Sequence, residues 1–335
     1  MLSIPFSVLD LSPIIEGSDA GQSLRNSAEL AQHVERLGYR RFWMAEHHSM
    51  PGIASAATAV ALAFVGSKTS TIRIGAGGIM LPNHAPLVIA EQFGTLESLF
   101  PGRVDLGLGR APGTDQAAAY AMRRNLASDP NQFPHDVLEL TGYFRGENDR
   151  VRAIPGEGLD IPIWILGSSL FGAQLAAMLG LPYAFASHFA PQMMMEAIAA
   201  YRQQFKPSEQ WAEPHVMLGF NAIVADTDEQ AELLATSVQQ AFVSLRAGKP
   251  IKLPPPRRGY ADDLPPESRA VLRSVLSASA IGSKETARRQ MAEFVERAKP
   301  DELIVTAQIY DHEARLRSYE LLMEAVRQPE IAPAN

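Results

Sequence analysis

Short apolar runs alternate along this chain with longer segments in which apolar residues recur every three or four positions. The runs are as long as buried strands, and several are apolar on both faces, as a parallel sheet covered by helices requires. Eight such runs occupy residues 6–11, 41–45, 71–80, 103–109, 162–166, 183–187, 216–225 and 302–307. Eight strands that alternate with helices in 335 residues predict a single α/β domain over residues 1–335, a (β/α)₈ TIM barrel. A doubly wound sheet needs fewer strands and often a second domain, for which the sequence shows no linker.

Two segments are longer than a minimal barrel needs, one after strand 4 and one before strand 8. Residues 111–160 contain a helix around residues 136–144 and a tail rich in glycine and proline. Residues 245–282 include the proline-rich stretch 249–259. Long irregular segments in a compact domain are usually functional or disordered. We therefore expect residues 245–282 to form either a lid over the top of the barrel or a solvated surface insertion.

The composition argues against several classes of partner and site. The net charge of −7 makes a nucleic-acid surface unexpected. The chain has no cysteine, which excludes disulfides, thiolate metal sites and a cysteine nucleophile. No apolar run approaches the roughly 18–20 residues that cross a bilayer, and the N-terminus shows no signal-peptide pattern. We expect a cytoplasmic protein with no nucleic-acid or membrane partner.

In barrels of this type the functional site lies at the C-terminal ends of the strands. Glycine and polar residues cluster after strands two to six of this sequence. They are Glu46, His47, His48, Gly77, Gly78, His84, Arg110, Gly167, Ser168, Ser169, Ser187 and His188. The opposite ends of the strands are less marked, so the sequence predicts a site at this rim.

A phosphate site is predicted where the fifth strand meets its helix. Gly167, Ser168 and Ser169 open a helical segment, which leaves backbone N–H groups unpaired with the helix dipole behind them. Arg110 follows the fourth strand, where its guanidinium can fork onto a phosphate or a carbonyl group. The alternative for Arg110 is a salt bridge at the rim.

His47 and His48 are the best candidates for proton transfer, because imidazole changes its charge near neutral pH. Adjacent residues on a strand face opposite sides, so we expect one histidine in the site and the other in a supporting hydrogen bond. Gly77 and Gly78 end the third strand. Two glycines there would let a flat ligand approach the backbone closely, or would form a bulge at the rim.

Two other chemistries fit the sequence less well. A metal hydrolase of the amidohydrolase type needs a His-x-His pair on the first strand, and residues 7–12 contain no histidine. We therefore predict no metal site. The glycine-rich stretch 107–113 is one residue too long for a dinucleotide fingerprint and is interrupted by Pro112, which argues against an NAD(P)-binding fold.

The sequence resembles the bacterial luciferase-like flavin-dependent monooxygenase family over nearly its whole length. The motifs that carry the resemblance are Ala45-Glu-His-His48, Gly77-Gly-Ile-Met-Leu-Pro82, Gly107-Leu-Gly-Arg110 and Leu166-Gly-Ser-Ser169. Two longer blocks, residues 47–56 and 81–95, resemble an alkanal monooxygenase-like branch whose substrate is unassigned.

The resemblance implies a (β/α)₈ barrel that binds FMN, usually in its reduced form, at the C-terminal rim. Carried over by position, residues 167–169 would bind the flavin phosphate and Arg110 would reach it. Gly77-Gly78 would form a cis peptide against the isoalloxazine ring. We add Ser187, at the end of the sixth strand, to the cofactor-binding candidates.

The resemblance also implies a reaction. His47 matches an acid–base histidine, and His48 matches its neighbour, which influences flavin binding and turnover. A separate reductase would supply reduced FMN as a co-substrate. O₂ would add at the flavin C4a carbon, and the resulting peroxide would attack an aldehyde or a related small organic substrate. Luciferases carry a reactive cysteine where this chain has Gly109, so light emission is not implied, and a homodimer is expected instead of their heterodimer.

Two alternatives use the same barrel: an F420-dependent oxidoreductase, and a flavin-binding protein without turnover. Retention of Glu46, His47 and His48 argues mildly against the second. Absorption spectra with each cofactor would separate FMN from F420 use, and oxygen consumption would separate turnover from storage.

Overall fold

The computed structural model describes residues 4–111, 121–122 and 132–327. Nine parallel strands form one sheet in these ranges. They are β1 (Phe6–Asp10), β2 (Arg41–Met44), β3 (Arg73–Met80), β4 (Val104–Gly109), β5 (Ile163–Gly167), β6 (Tyr183–Phe185), β7 (Val216–Val224), β8 (Ser279–Gly282) and β9 (Glu302–Thr306). Eight of them close a barrel in the order β1 to β7 and then β9, which pairs back onto β1. The predicted TIM barrel is confirmed, and each of the eight apolar runs overlaps one barrel strand.

Helices cover the outside of the barrel, and their ends follow local signals. They are α1 (Ala20–Arg36), α2 (Thr58–Gly66), α3 (Pro86–Leu99), α4 (Phe133–Arg145), α5 (Leu170–Leu179), α6 (Met194–Gln204), α7 (Asp228–Arg246), α8 (Tyr260–Asp263), α9 (Pro266–Val275), α10 (Lys284–Ala298) and α11 (His312–Arg327). Gly180 ends α5 in the left-handed conformation that glycine favours, and the Thr227 hydroxyl caps α7 by accepting from the Gln230 N–H. No helix in the described ranges is long and apolar enough to span a bilayer.

Both predicted insertions contain regular structure. The segment after β4 includes α4, which matches the helix expected around residues 136–144, while Pro112 lies outside the described residues. The segment 245–282 contains α8, α9 and the short strand β8. The strand β8 was not predicted from the sequence, because it has only four residues and no periodicity of its own. It pairs with the last four residues of β7, outside the closed barrel.

The barrel has two apolar regions. A large one lies between the strands and the surrounding helices. A smaller one fills the inside of the barrel and consists of Leu9, Trp43, Ala45, Trp164, Ala184, Met217 and Ile304. The Trp43 and Trp164 rings meet edge to face at 5.3 Å between centroids. Burial of this surface drives closure of the sheet, and the bulky rings fill the space that eight strands enclose.

The N-terminal end of the barrel interior holds a buried ionic cluster. Arg41 donates from Nε to Glu302 Oε1 at 2.8 Å and from Nη1 to Asp105 Oδ2 at 2.8 Å. Arg73 reaches the other Asp105 oxygen at 2.7 Å, and the Trp43 indole donates to Oδ2 at 3.1 Å. Arg41, Asp105 and Glu302 are almost fully enclosed, so each charge depends on its partners.

Candidate active site

A cavity of about 620 Å³ opens at the C-terminal ends of the barrel strands. Leu9, Trp43, Leu166 and Ile304 form its apolar floor, which is the upper part of the barrel interior. This volume lies in the range of small-molecule and cofactor sites, and the position is the one at which TIM-barrel enzymes place their chemistry.

One wall of the cavity is bare backbone at Gly77 and Gly78, which are joined by a cis peptide bond as the resemblance implies. The pairing of β3 with β4 shifts register between Ala76 and Ile79, so this wall is also a bulge. A Cβ atom on Gly78 would lie 2.7 Å from the Gly107 carbonyl oxygen, which leaves no room for a side chain. A flat ligand could therefore lie directly on this backbone.

A second wall combines a helix N-terminus with an arginine. Gly167, Ser168 and Ser169 line the cavity where β5 ends and α5 begins. Ser169 is the N-cap residue, but its side chain makes no capping hydrogen bond, and the first turn of α5 carries no acidic residue. Free N–H groups and the helix dipole favour an anion at this point.

Arg110 lies beside that helix start. Its guanidinium carbon is 4.0 Å from the ring centroid of Phe171, the second residue of α5. No ion pair links Arg110 to any described residue, so the rim salt bridge that the sequence allowed is not present in that part of the chain. Stacking on Phe171 holds the positive charge at the mouth of the cavity without neutralising it.

His47 and His48 lie in different surroundings. His47 lines the cavity. His48 Nε2 lies 2.7 Å from Glu46 Oε1, and His48 is absent from the described residues that line the cavity. The Glu46 carboxylate therefore holds the His48 side chain in place, while His47 is left on the cavity side.

Glu46 also binds a third side chain. His84 Nε2 lies 2.9 Å from the same Oε1, and the Met80 N–H donates to Oε2 at 3.2 Å. Burial alone would raise the pKa of Glu46, but the hydrogen bond and charge of His84, followed by the hydrogen bond of His48, lower it below its usual value. A charged Glu46 therefore ties the loop after β2 to the loop after β3.

The same three side chains form a donor set that could hold a metal ion, since their ligand atoms lie within 4.8 Å of one another. Ligand atoms around a tetrahedral ion stand roughly 3.3 Å apart, given bond lengths near 2.0–2.2 Å. The distances of 2.7 and 2.9 Å to Glu46 Oε1 are hydrogen-bond distances. We therefore interpret Glu46, His48 and His84 as a hydrogen-bonded brace.

Ser187 and His188 follow β6, and only one of the two lines the cavity. The Ser187 hydroxyl donates to the Gly219 carbonyl at 2.7 Å, and Ser187 is fully buried and absent from the described lining residues. His188, in contrast, lines the cavity. The sequence places His188 at the rim without a role, and only its burial beside His47 distinguishes it from an ordinary rim histidine.

The remaining wall comes from helix α7 and the segment that follows it. Phe242, Arg246, Ile251 and Leu253 line this side, together with Gln308 after β9. These residues cannot be identified from the sequence, because the helical spacing in α7 is the same for a core face and for a cavity wall. They lie across the cavity from Gly77 and Gly78, because β3 and β7 are on opposite sides of the eight-stranded barrel.

The fold and the cavity are those of a TIM-barrel enzyme whose site opens at the C-terminal rim. The luciferase-like monooxygenase family matches residues 4–301. A "Luciferase-like monooxygenase" of Escherichia coli (strain K12) is 51% identical over 324 residues, covering 96% of this chain and 97% of that protein. The chain belongs to the luciferase-like monooxygenase family and is a flavin-dependent monooxygenase.

Two further relatives agree with this assignment. The crystal structure of apo-MsnO8 superposes with a TM-score of 0.90 at 33% identity, covering 98% of this chain and 100% of that one. An "N-acetyl-S-alkylcysteine monooxygenase" of Bacillus subtilis (strain 168) is 32% identical, covering 96% of this chain and 98% of that protein. The similarity extends over whole chains, so it includes the insertions as well as the barrel.

Proposed function

We propose that this protein is an FMN-dependent monooxygenase that uses reduced FMN and O₂ to oxygenate an aldehyde or a related small organic substrate. The observation that supports it most directly is the convergence of three features on one rim. These are the α5 N-terminus, the bare backbone at Gly77-Gly78, and Arg110, which has no ion pair among the described residues. A phosphate at one end of a flat ring system matches this arrangement.

The residues present fit FMN in two ways. Arg110, Ser168 and Ser169 would hold the phosphate, and the N-cap hydroxyl of Ser169 is not used for capping. Gly77 and Gly78 would lie against the ring, where any Cβ atom would collide with the barrel. Bound reduced FMN supplies the electrons that activate O₂.

The chain contributes proton control and exclusion of water. His47 lines the cavity and is the group we assign to proton transfer with the substrate. The segment after α7 closes one side, because Leu253 donates to Ile14 O and accepts from the Glu16 N–H, both at 2.9 Å. We propose that the predicted lid acts through this pinned part of residues 245–282.

The substrate would occupy the space between the glycine wall and α7, where Phe242 and Ile251 offer apolar contact. The Bacillus subtilis relative is named for oxygenation of an N-acetyl-S-alkylcysteine. That compound is a small organic molecule, as the proposed substrate is. A separate flavin reductase, a homodimer and a cytoplasmic location stay predictions of the sequence analysis.

The test of the phosphate site is Arg110→Ala, with FMN affinity measured by fluorescence titration. We expect binding to weaken by about 1.5–3 kcal/mol, roughly 10- to 150-fold, the scale of one hydrogen bond to a charged group. Arg246→Ala is the matched control, because Arg246 lines the opposite side of the same cavity. Equal losses in the two variants, or unchanged affinity in Arg110→Ala, would remove Arg110 from the phosphate site.

Turnover is tested with reduced FMN, O₂ and a series of straight-chain aldehydes. His47→Ala should bind FMN as the wild type does, but it should form the oxygenated product far more slowly. Normal product formation in this variant would exclude a catalytic role for His47. Binding of F420 in place of FMN, seen in absorption spectra, would favour the oxidoreductase alternative instead.

A further inference from the structure

His188 carries a buried ring nitrogen that the surrounding protein does not satisfy. Only 9% of the residue is exposed, and among the described residues its Nδ1 atom has no hydrogen-bond partner. The residue nevertheless lines the cavity. Burying a polar atom without a partner costs stability, so such an atom beside a ligand cavity needs an explanation.

The position of the ring shows which nitrogen can serve a ligand. Nδ1 lies against Gly219 of β7, where a Cβ atom would come within 2.2 Å of it. A proton on Nδ1 would point at this backbone with no acceptor among the described residues. The neutral ring therefore carries its proton on Nε2, on the edge that faces away from Gly219.

The ring is also held in place. The Asn221 side chain donates to the His188 carbonyl oxygen at 2.7 Å, and the His188 ring packs edge to face on Phe189 at 4.9 Å. Burial first, and then the charge of His47, lower the pKa of His188 to about 4. At neutral pH His188 is thus an uncharged and fixed donor.

We infer that His188 donates a hydrogen bond from Nε2 to a carbonyl-type oxygen of a molecule bound in the cavity. The inference rests on the proposed function, which supplies two such oxygens: the carbonyl groups of the flavin ring and the oxygen of the organic substrate. A neutral donor fixed in a dry site stabilises negative charge that develops on an oxygen without giving up its proton. His188 would therefore complement His47, which moves a proton.

If His188 had only a structural role, replacing it should destabilise the ligand-free protein. A histidine kept for a structural role makes hydrogen bonds that a substitution would remove, whereas the Nδ1 atom of His188 has no hydrogen-bond partner among the described residues. His188→Leu should leave the thermal midpoint of the ligand-free protein unchanged or higher. His188→Gln keeps a side-chain N–H donor and serves as the matched variant.

The experiment measures three quantities in the wild type and both variants: the ligand-free thermal midpoint, the Kd of FMN, and KM and kcat for the aldehyde that the wild type oxidises fastest. We expect His188→Leu to lose about tenfold in one ligand property, with partial recovery in His188→Gln. A higher Kd of FMN with unchanged KM identifies a flavin carbonyl. A higher KM or lower kcat with unchanged Kd of FMN identifies the substrate oxygen.

Three results would overturn the inference. A lower thermal midpoint of ligand-free His188→Leu would make His188 a structural residue. Wild-type values in every ligand property of His188→Leu would contradict the inference while leaving the proposed function intact. If the wild type itself binds no FMN or oxidises no aldehyde, the proposed function fails and the inference fails with it.

Discussion

The two ends of the barrel treat polar side chains in opposite ways. At the N-terminal end, Arg41, Asp105 and Glu302 are enclosed and bound to one another. At the C-terminal rim, Arg110 has no ion pair and His188 has an unsatisfied nitrogen, in each case among the described residues. Both ends belong to the same strands, so the difference is not one of secondary structure.

The contrast separates stability from function. A charge that is buried on folding must find a protein partner, or the desolvation penalty opposes the fold. A polar group at a cavity can instead be satisfied by a ligand, which then contributes binding energy. Buried charges at the lower end are ion-paired with one another, whereas Arg110 and the Nδ1 atom of His188 at the rim have no partner among the described residues. This difference assigns the lower end to stability and the rim to ligand binding.

The largest effect that tests this contrast is expected for Arg41→Met. The substitution leaves two buried carboxylates, Asp105 and Glu302, without their central partner. We expect a loss of about 3–5 kcal/mol in the free energy of unfolding, measured by urea denaturation. The FMN affinity of the protein that remains folded should change little, because Arg41 lies at the far end of the barrel.

The control is Arg317→Ala, which removes exposed ion pairs with Asp226 and Glu320. Its effect on unfolding should stay below about 1 kcal/mol. Similar losses for the Arg41 and Arg317 variants would show that enclosure adds nothing, and the comparison of the two ends would fail.

A smaller loss of folding stability is expected at acid pH. Burial alone would raise the pKa of Glu302, but the hydrogen bond with His215 and the charge of Arg41 outweigh it and lower the pKa to about 2. Because the pKa in the unfolded chain is near 4.3, the carboxylate stabilises the fold above that pH. This stability is lost as the pH falls from about 4.3 towards 2.

Glu302→Gln checks this assignment. The variant should be less stable at pH 7 by about 2 kcal/mol, the scale of a hydrogen bond between charged groups. Its unfolding free energy should also fall less than that of the wild type between pH 5 and pH 3. Parallel losses for the two proteins over this interval would mean that other carboxylates carry the acid response.

The smallest effects on stability are expected at the N-termini of α7 and α5, which both begin at the rim of the barrel. The Thr227 hydroxyl caps α7, whereas the Ser169 hydroxyl makes no capping bond at α5. Thr227→Ala should lower the free energy of unfolding by about 1 kcal/mol, and Ser169→Ala should change it by less than half of that. Only Ser169→Ala should weaken FMN binding. Equal costs in stability would show that Ser169 serves the fold and is not held available for a ligand.

Much of the fold could be predicted because periodicity is a local property. Each barrel strand is marked by its own apolar run, and the end of α5 at Gly180 is marked by one residue. The strand β8 escaped prediction because four residues cannot establish a period, and its place depends on the length of β7. The rim position of the site followed from the parallel order of the strands.

The individual roles at the site were less predictable, because contacts between distant parts of the chain define them. Glu46 and His84 are 38 positions apart in the chain, yet His84 Nε2 lies 2.9 Å from a carboxylate oxygen of Glu46. His188 and Gly219 meet across two strands, and Arg110 stacks on the Phe171 ring of α5. Spacing along the chain gives no measure of such distances.

The sequence by itself determined that this chain forms a closed barrel with its polar and glycine residues at one mouth, since strand order and side-chain alternation are properties of neighbouring residues. Only the tertiary structure decided which of those residues face the cavity and which find partners in the protein. His47 and His48 are adjacent in the chain, yet one lines the cavity and the other binds Glu46. The physical reason is that partnering depends on distances across the closed sheet, which exist only once all eight strands have come together.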